Sequence, residues 1–232
     1  MAHLEMLCIS QEKAIVCMPN YNAEVLVLAK TKLGETDLIL TLLSSGNRQI
    51  RAVAKGARKP GAKLCGVSEP FTVFEGKFHT GKSLDITSEA KAIEVYAELR
   101  SDFERLMAGS IALELAVQAT NDGDSITRLY AMMRTFLDVL SIIPEEQVHV
   151  LVTAYLLKLL AMIGYSPEYE LCAKSERLTQ LMRSTFVEVA KREDEDKKKV
   201  LSDLRQVMNF TEKHFPTKLK TISQYRKFLH ST

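Results

Sequence analysis

The hydrophobic period of this chain changes once. Before about residue 92 apolar residues come in short blocks or alternate with polar ones, and from Tyr96 they recur every three or four positions. Val25-Leu26-Val27-Leu28 reads as a strand buried on both faces, and Leu38-Ile39-Leu40-Thr41-Leu42-Leu43 as a second. Between them residues 30–37 form a polar turn around Gly34. Ser44-Ser45-Gly46-Asn47 is hairpin chemistry, because Gly and Asn take positive φ at little cost. It leads into a third strand, residues 48–54, that turns Ile50, Ala52 and Ala54 inward and Arg51 outward, with Lys55 beyond it also facing out. A fourth strand starts at Phe71-Thr72-Val73-Phe74 and extends toward Phe78. After the turn His79-Thr80-Gly81-Lys82, residues 84–92 make a fifth. Five short strands joined mostly by tight turns predict a small closed or partly open barrel.

The helical part has its own punctuation. Leu99, Phe103, Leu106, Ser110, Leu113 and Val117 make the stripe of one amphipathic helix. Asp124-Ser125 reads as the cap of a second, with the stripe Ile126, Leu129, Met133, Phe136, Leu137 and Leu140. Pro144, Glu145 and Glu146 open a third, apolar nearly all round over residues 148–162 and so the centre of the helical core; Gly164 and Pro167 end it. Residues 177–190 read as helical or partly extended. Glu193, Asp194 and Glu195 each precede a lysine by four residues, a set of pairs on a solvated helix. Residues 200–215 and 222–229 give two last amphipathic helices. Residues 1–21 have mixed character and read as a poorly ordered leader. The expected fold class is α+β, a barrel over residues 22–95 followed by an all-α domain over 96–232.

Charge sharpens the picture more than composition does. Residues 22–91 carry 11 Lys+Arg against 7 Asp+Glu, residues 92–196 carry 10 against 18, and residues 197–232 carry 9 against 2. A basic front, an acidic middle and a basic tail point to partners met at both ends. Within residues 38–68 stand six basic side chains and no acid, which suits a surface that tracks a polyanion. The candidate track is Lys30, Lys32, Arg48, Arg51, Lys55, Arg58, Lys59 and Lys63, with the last four on a loop after the third strand. Phe71, Phe74 and Phe78 are candidates for base stacking, although core is the better assignment for at least two of them. A second basic surface comprises Lys213, Lys218, Lys220, Arg226 and Lys227, interleaved with Phe215, Tyr225 and Phe228. It is either another DNA surface, part of a docking site for an acidic peptide, or an amphipathic helix with its lysines in water.

The four cysteines (Cys8, Cys17, Cys65, Cys172) form no paired spacing, so neither a disulfide framework nor a zinc ribbon is encoded. They read as reduced thiols in a cytoplasmic protein. Residues 148–163 are the longest apolar run, but His149 and Lys158 interrupt it and it is too short for a bilayer. No phosphate-binding loop, dinucleotide fingerprint or nucleophile elbow occurs, the histidines lack metal spacing, and no enzyme is expected. Glu35 and Asp37 read as turn structure rather than acid–base machinery.

The motifs themselves resemble a known family. Ala23-Glu24-Val25-Leu26-Val27-Leu28, Gly34-Glu35-Thr36-Asp37-Leu38-Ile39-Leu40-Thr41-Leu42 and Val53-Ala54-Lys55-Gly56-Ala57-Arg58 resemble the amino-terminal domain of RecO, the bacterial recombination mediator. Residues 66–71, then Leu159-Leu160-Ala161-Met162-Ile163-Gly164-Tyr165-Ser166-Pro167, then Leu219-Lys220-Thr221-Ile222-Ser223 are similar to later family motifs, in collinear order. The resemblance implies an OB-fold barrel and a helical domain. It implies binding to single- and double-stranded DNA, annealing of complementary strands, and help in loading the RecA recombinase onto DNA coated by single-strand binding protein. Implied partners are RecR and the acidic, apolar C-terminal tail of the single-strand binding protein. A nucleoid-associated cytoplasmic location is implied too, with no membrane and no cofactor. Two departures stand out. Many members carry a four-cysteine zinc site after the Gly-Tyr-x-Pro turn, whereas here Cys172 stands alone and one thiolate makes no tetrahedral site. The basic loop also contains the corner Lys59-Pro60-Gly61-Ala62-Lys63, which bears fewer charges than the family segment. The alternative function is a protein–protein adaptor whose basic surfaces dock acidic peptides without touching DNA.

Overall fold

The computed structural model describes residues 20–120, 126–192 and 196–231, with side chains as far as Leu229. Residues 1–19 of the leader, the Asp124-Ser125 cap and the acidic members of the Glu193–Glu195 pairs lie outside the described residues, whereas Asn20 and Tyr21, expected to be leader, are strand.

Five strands close into a barrel in the order β1-β2-β3-β5-β4. They are β1 (Asn20–Leu33), β2 (Asp37–Ser44), β3 (Gln49–Ala54), β4 (Thr72–His79) and β5 (Asp85–Val95). Closure comes from β1 pairing with both β2 and β4, and from a short parallel contact of β3 (Ala52–Ala54) with β5 (Asp85–Thr87). The blocks Val25–Leu28 and Leu38–Leu43 are strands for the reason their sequence suggests, since side chains of opposite parity enter different cores. Val25 and Val27 join Leu40, Leu42, Phe74 and Phe78 inside the barrel, while Leu26, Leu28 and Leu43 join the helical core. A bulge at Leu28, between the pairs Val27↔Leu42 and Ala29↔Thr41, lets β1 bend around the barrel. The strand runs on to Leu33, so Lys30 and Lys32 stand on β1 rather than in a turn. The turn is confined to residues 34–36, with Gly34 at φ 58°.

The chain passes from strand to helix between Val95 and Glu98. The first predicted helix is broken in two, α1 (Glu98–Ser101) and α2 (Phe103–Ala119). Asp102 stands extended between them and its carboxylate accepts the Arg105 N–H at 2.7 Å, so a cap interrupts the apolar stripe. Phe103, placed on that stripe by its spacing, is instead 56 % exposed.

There follow α3 (Leu129–Ile142), α4 (Val148–Met162), α5 (Pro167–Glu170), α6 (Glu176–Arg183), α7 (Phe186–Val189), α8 (Lys197–His214) and α9 (Lys220–Ser231). A 3-10 turn over Glu145–Gln147 precedes α4 where Pro144 was expected to open it. Eleven of the fifteen residues of α4 are buried, so this helix is the centre of the core. It ends in a Schellman arrangement: Gly164 takes φ 89°, Tyr165 N–H donates to Leu160 C=O at 2.9 Å, and Gly164 N–H to Ala161 C=O at 3.2 Å. The 177–190 region resolves into α6 and α7, both helical, and α7 carries a full capping box between Thr185 and Glu188.

Two helices take their N-terminal caps from other elements. Asn47, in the β2–β3 hairpin at φ 63°, accepts the Tyr130 N–H of α3 at 2.9 Å. Glu114 on α2 accepts the Lys220 and Thr221 N–H groups of α9 at 2.9 and 2.8 Å. Glu24 on β1 accepts from the Tyr130 hydroxyl (2.6 Å) and from Arg134 (3.1 Å), and Arg134 also reaches the Tyr96 hydroxyl. Burial and the Glu24 carboxylate push the Tyr130 phenol up, so it stays a donor throughout the physiological range. Barrel and helices are therefore joined by a shared core and a hydrogen-bond network.

Candidate nucleic-acid interface

At one end of the barrel the start of β1, the β2–β3 hairpin and the β4–β5 connection enclose an open groove of about 780 Å3. Its cationic lining is Arg48, Arg51 and Lys82. Arg48 closes the hairpin and Arg51 sits outward on β3, both exposed, as the alternation of that strand requires. Lys82 is exposed on a turn whose backbone is held by its neighbours. Gly81 donates its N–H to Asp85 Oδ1 at 3.0 Å, and the Tyr21 hydroxyl donates to Asp85 Oδ2. A Cβ on Gly81 would lie 1.9 Å from the Leu84 carbonyl oxygen, so only glycine allows this turn. The groove thus presents three cations on elements fixed by strand pairing and by the Asp85 clamp.

The remaining members of the predicted track are not in this groove. Lys55, Arg58, Lys59 and Lys63 are exposed on the segment that follows β3. That segment is a series of hydrogen-bonded turns: Lys59 N–H to Gly56 C=O, Ala62 N–H to Lys59 C=O, Cys65 N–H to Ala62 C=O. Its buried Ala57 and Val67 plug the barrel, and the Pro60-Gly61 corner is one of these turns, with Gly61 at φ 73°. The segment is tied to the β1–β2 turn at three points. Asp37 Oδ1 accepts the Gly56 N–H at 2.8 Å, Arg58 donates its N–H to Thr36 C=O at 2.9 Å, and its guanidinium reaches Gly34 C=O at 3.0 Å. The motif containing Asp37 and the motif containing Lys55-Gly56-Ala57-Arg58 are therefore two halves of one lock.

The Gly56 and Thr36 hydrogen bonds hold the Asp37 carboxyl below the usual carboxylate range, helped by Lys55 and Lys59. Because the folded value is the lower one, the lock is at full strength above the ordinary carboxylate range and weakens only as pH falls through the depressed value. Asp37→Ala is expected to speed limited tryptic cleavage after Lys55, Arg58 and Lys63 at neutral pH, and to speed amide exchange at Gly56. An unchanged cleavage pattern would contradict this role.

Lys30 and Lys32 are exposed on the far part of β1, and Lys30 pairs with Glu69 at 2.5 Å, so it offers little free charge. The three candidate stacking rings are core: Phe71, Phe74 and Phe78 are 3 %, 0 % and 0 % exposed. In the second basic surface Arg226 pairs with Glu212 at 2.5 Å and Lys213 with Glu170 at 3.9 Å, while Lys218, Lys220 and Lys227 are exposed on and just before α9. Its aromatics face inward. Tyr225 and Phe215 are buried and Phe228 packs edge-on against Phe103 at 5.0 Å.

Sequence reasoning passed over Lys82, reading it only as turn; its signal is a lysine in the connection that barrel closure brings beside the β2–β3 hairpin. It also passed over a groove of about 390 Å3 among α3, α4 and α7, where Met132, Met162 and Phe186 make an apolar floor beside Arg128 and Lys158. Lys158 Nζ donates to Met182 C=O at 2.5 Å and lies 5.7 Å from the Phe186 ring; burial pulls its pKa down. The interruption of the apolar run by Lys158 was the visible sign. His149, expected to be a satisfied core residue, is half-buried on α4 with its Nδ1 2.8 Å from Glu104, and it lines an open groove with Glu145, Glu146 and Lys197. Cys172 is buried, its Sγ 3.9 Å from Met182 Sδ, and burial raises its thiol pKa. One thiol does not make the donor set of a zinc site. The segment is packed through Leu171, Leu178, Leu181 and Val189 instead. No helix among the described residues is long and apolar enough to cross a membrane.

The strand order, the parallel β3–β5 contact and the helical region that follows define an α+β protein with an OB-type barrel. Residues 18–96 match the family model for the recombination protein O N terminal region, and residues 100–189 the model for its C terminal region. The DNA repair protein RecO of Gloeobacter violaceus is 33 % identical over 157 residues, covering 68 % of this chain and 60 % of that protein. The protein of the same name from Thermobifida fusca is 35 % identical over 161 residues, 67 % of this chain and 65 % of its own length. That from Desulfitobacterium hafniense is 34 % identical over 166 residues, covering 72 % and 60 %. The chain belongs to the RecO family of DNA repair proteins, and its matched part spans 60 % to 65 % of the length of these relatives.

Proposed function

We propose that the protein is a recombination mediator that binds single- and double-stranded DNA, anneals complementary strands and, with RecR, helps load RecA onto DNA coated by single-strand binding protein. The observation that carries the reading is the groove at the barrel end, with Arg48, Arg51 and Lys82 on three rigidly held elements. Its chemistry is electrostatic. Each phosphate met by a cation releases condensed counterions, which drives binding without reading sequence. The loop cations Lys55, Arg58, Lys59 and Lys63 would add a second patch at the other end of β3. The role is binding, with no bond made or broken.

The groove of Arg128, Lys158, Met132, Met162 and Phe186 suits the acidic, apolar tail of the single-strand binding protein, since it pairs an apolar floor with cations. The basic residues around α9 suit that tail less well, because their aromatics are turned inward. Reversing Arg128 to Glu is expected to weaken the protein for that tail peptide. The mediator reading as a whole is tested with complementary oligonucleotides carrying a donor and an acceptor dye. The protein is expected to speed their annealing on its own and to retain that effect on strands coated by single-strand binding protein. Acceleration that appears only when another protein supplies the DNA contact would leave an adaptor.

A further inference from the structure

Proteins that hold single strands in OB-type barrels commonly combine a cationic track with aromatic platforms on which bases stack. Residues 20–97, the barrel and the passage to the first helix, contain only Tyr21, Phe71, Phe74, Phe78 and Tyr96 as Phe, Tyr or Trp. Four of these are committed to cores, at 3 % exposure or less. Tyr21 alone reaches the groove. Its ring is stacked on Phe78 (centroids 5.3 Å apart, planes at 21°) and its hydroxyl is held by Asp85, so it is fixed in the wall. The other groove residues offer cations (Arg48, Arg51 and Lys82), hydroxyls such as those of Ser45 and Ser83, and the amides of Asn22 and Gln49, but no further ring. These groups recognise phosphate and sugar oxygens.

We infer that the groove grips a single strand by its phosphates alone and leaves the bases turned outward, unstacked on protein and free to pair. The inference rests on the proposed DNA binding and gives it a mechanism for annealing. A strand held through its bases would have to break those contacts before meeting its complement, whereas one held by phosphates need not. Ligand recognition is then that of a flexible polyphosphate chain, with the base immaterial.

The test uses the intact protein and single-stranded DNA carrying both a terminal dye and an internal 2-aminopurine. Anisotropy of the dye is expected to rise while 2-aminopurine emission stays at or above that of the free strand. Inorganic polyphosphate is expected to displace the DNA at a similar concentration of charge. Binding accompanied by quenched 2-aminopurine would overturn the phosphate grip while leaving DNA binding in place. No anisotropy change at low salt would remove the DNA reading itself and the grip with it.

Discussion

Changing Arg48, Arg51 and Lys82 together to alanine is expected to cut single-stranded DNA affinity on the order of a hundredfold at low salt and to flatten its salt dependence. Each phosphate contact on a single strand contributes about 0.7 to the slope of log K against log salt, so losing three removes about 2. The loop triple Lys55, Arg58 and Lys59 is expected to do less, because Arg58 is already bonded to Gly34 C=O and its loss acts partly through the lock with the β1–β2 turn. Lys30→Ala should be nearly silent, since Glu69 already occupies its charge. If the loop triple flattens the slope and the groove triple does not, the DNA site lies at the other end of β3.

Phe71→Ala is expected to be the most destabilising single change at the junction of barrel and helices, by about 3–5 kcal/mol in chemical denaturation. Phe71 sits in the helical core at φ 65°, immediately before β4, and its ring covers Gly109 on α2. A Cβ on Gly109 would lie 2.7 Å from Phe71 Cε1. Gly109→Ala alone is therefore expected to destabilise, despite alanine's better helix propensity, because the ring has no room to yield. In the Phe71→Ala background the same change should become neutral or stabilising, a coupling of about 1–3 kcal/mol. Additive effects of the two substitutions would show that the ring does not press on α2.

Much of the barrel was legible because its signals are local. Alternation placed Ile50, Ala52 and Ala54 inward on β3, and Gly34, Asn47 and Gly164 stand at positive φ where the chain was expected to turn. The extension of β1 through Lys30 and Lys32 was not legible, because nothing in that polar stretch says strand. It is made by pairing with β2, down to Leu33 opposite Asp37. The caps of α3 and α9 come from Asn47 and Glu114, far away in sequence, so no local reading finds them. The break at Asp102 was missed because the apolar spacing continues across it, although an Asp ahead of a helical run was there to be seen. The site was half legible. Arg48 and Arg51 could be placed on one strand face, but their meeting with Lys82 depends on closing the barrel, and the burial of the phenylalanines depends on what lies behind it.

The measurement that bears most directly on the account is fluorescence anisotropy of labelled single-stranded DNA against the intact protein, from low to physiological salt. Tight binding at low salt is expected, weakening linearly in log salt and independent of base sequence. Absence of binding at low salt, or binding indifferent to salt, would contradict it.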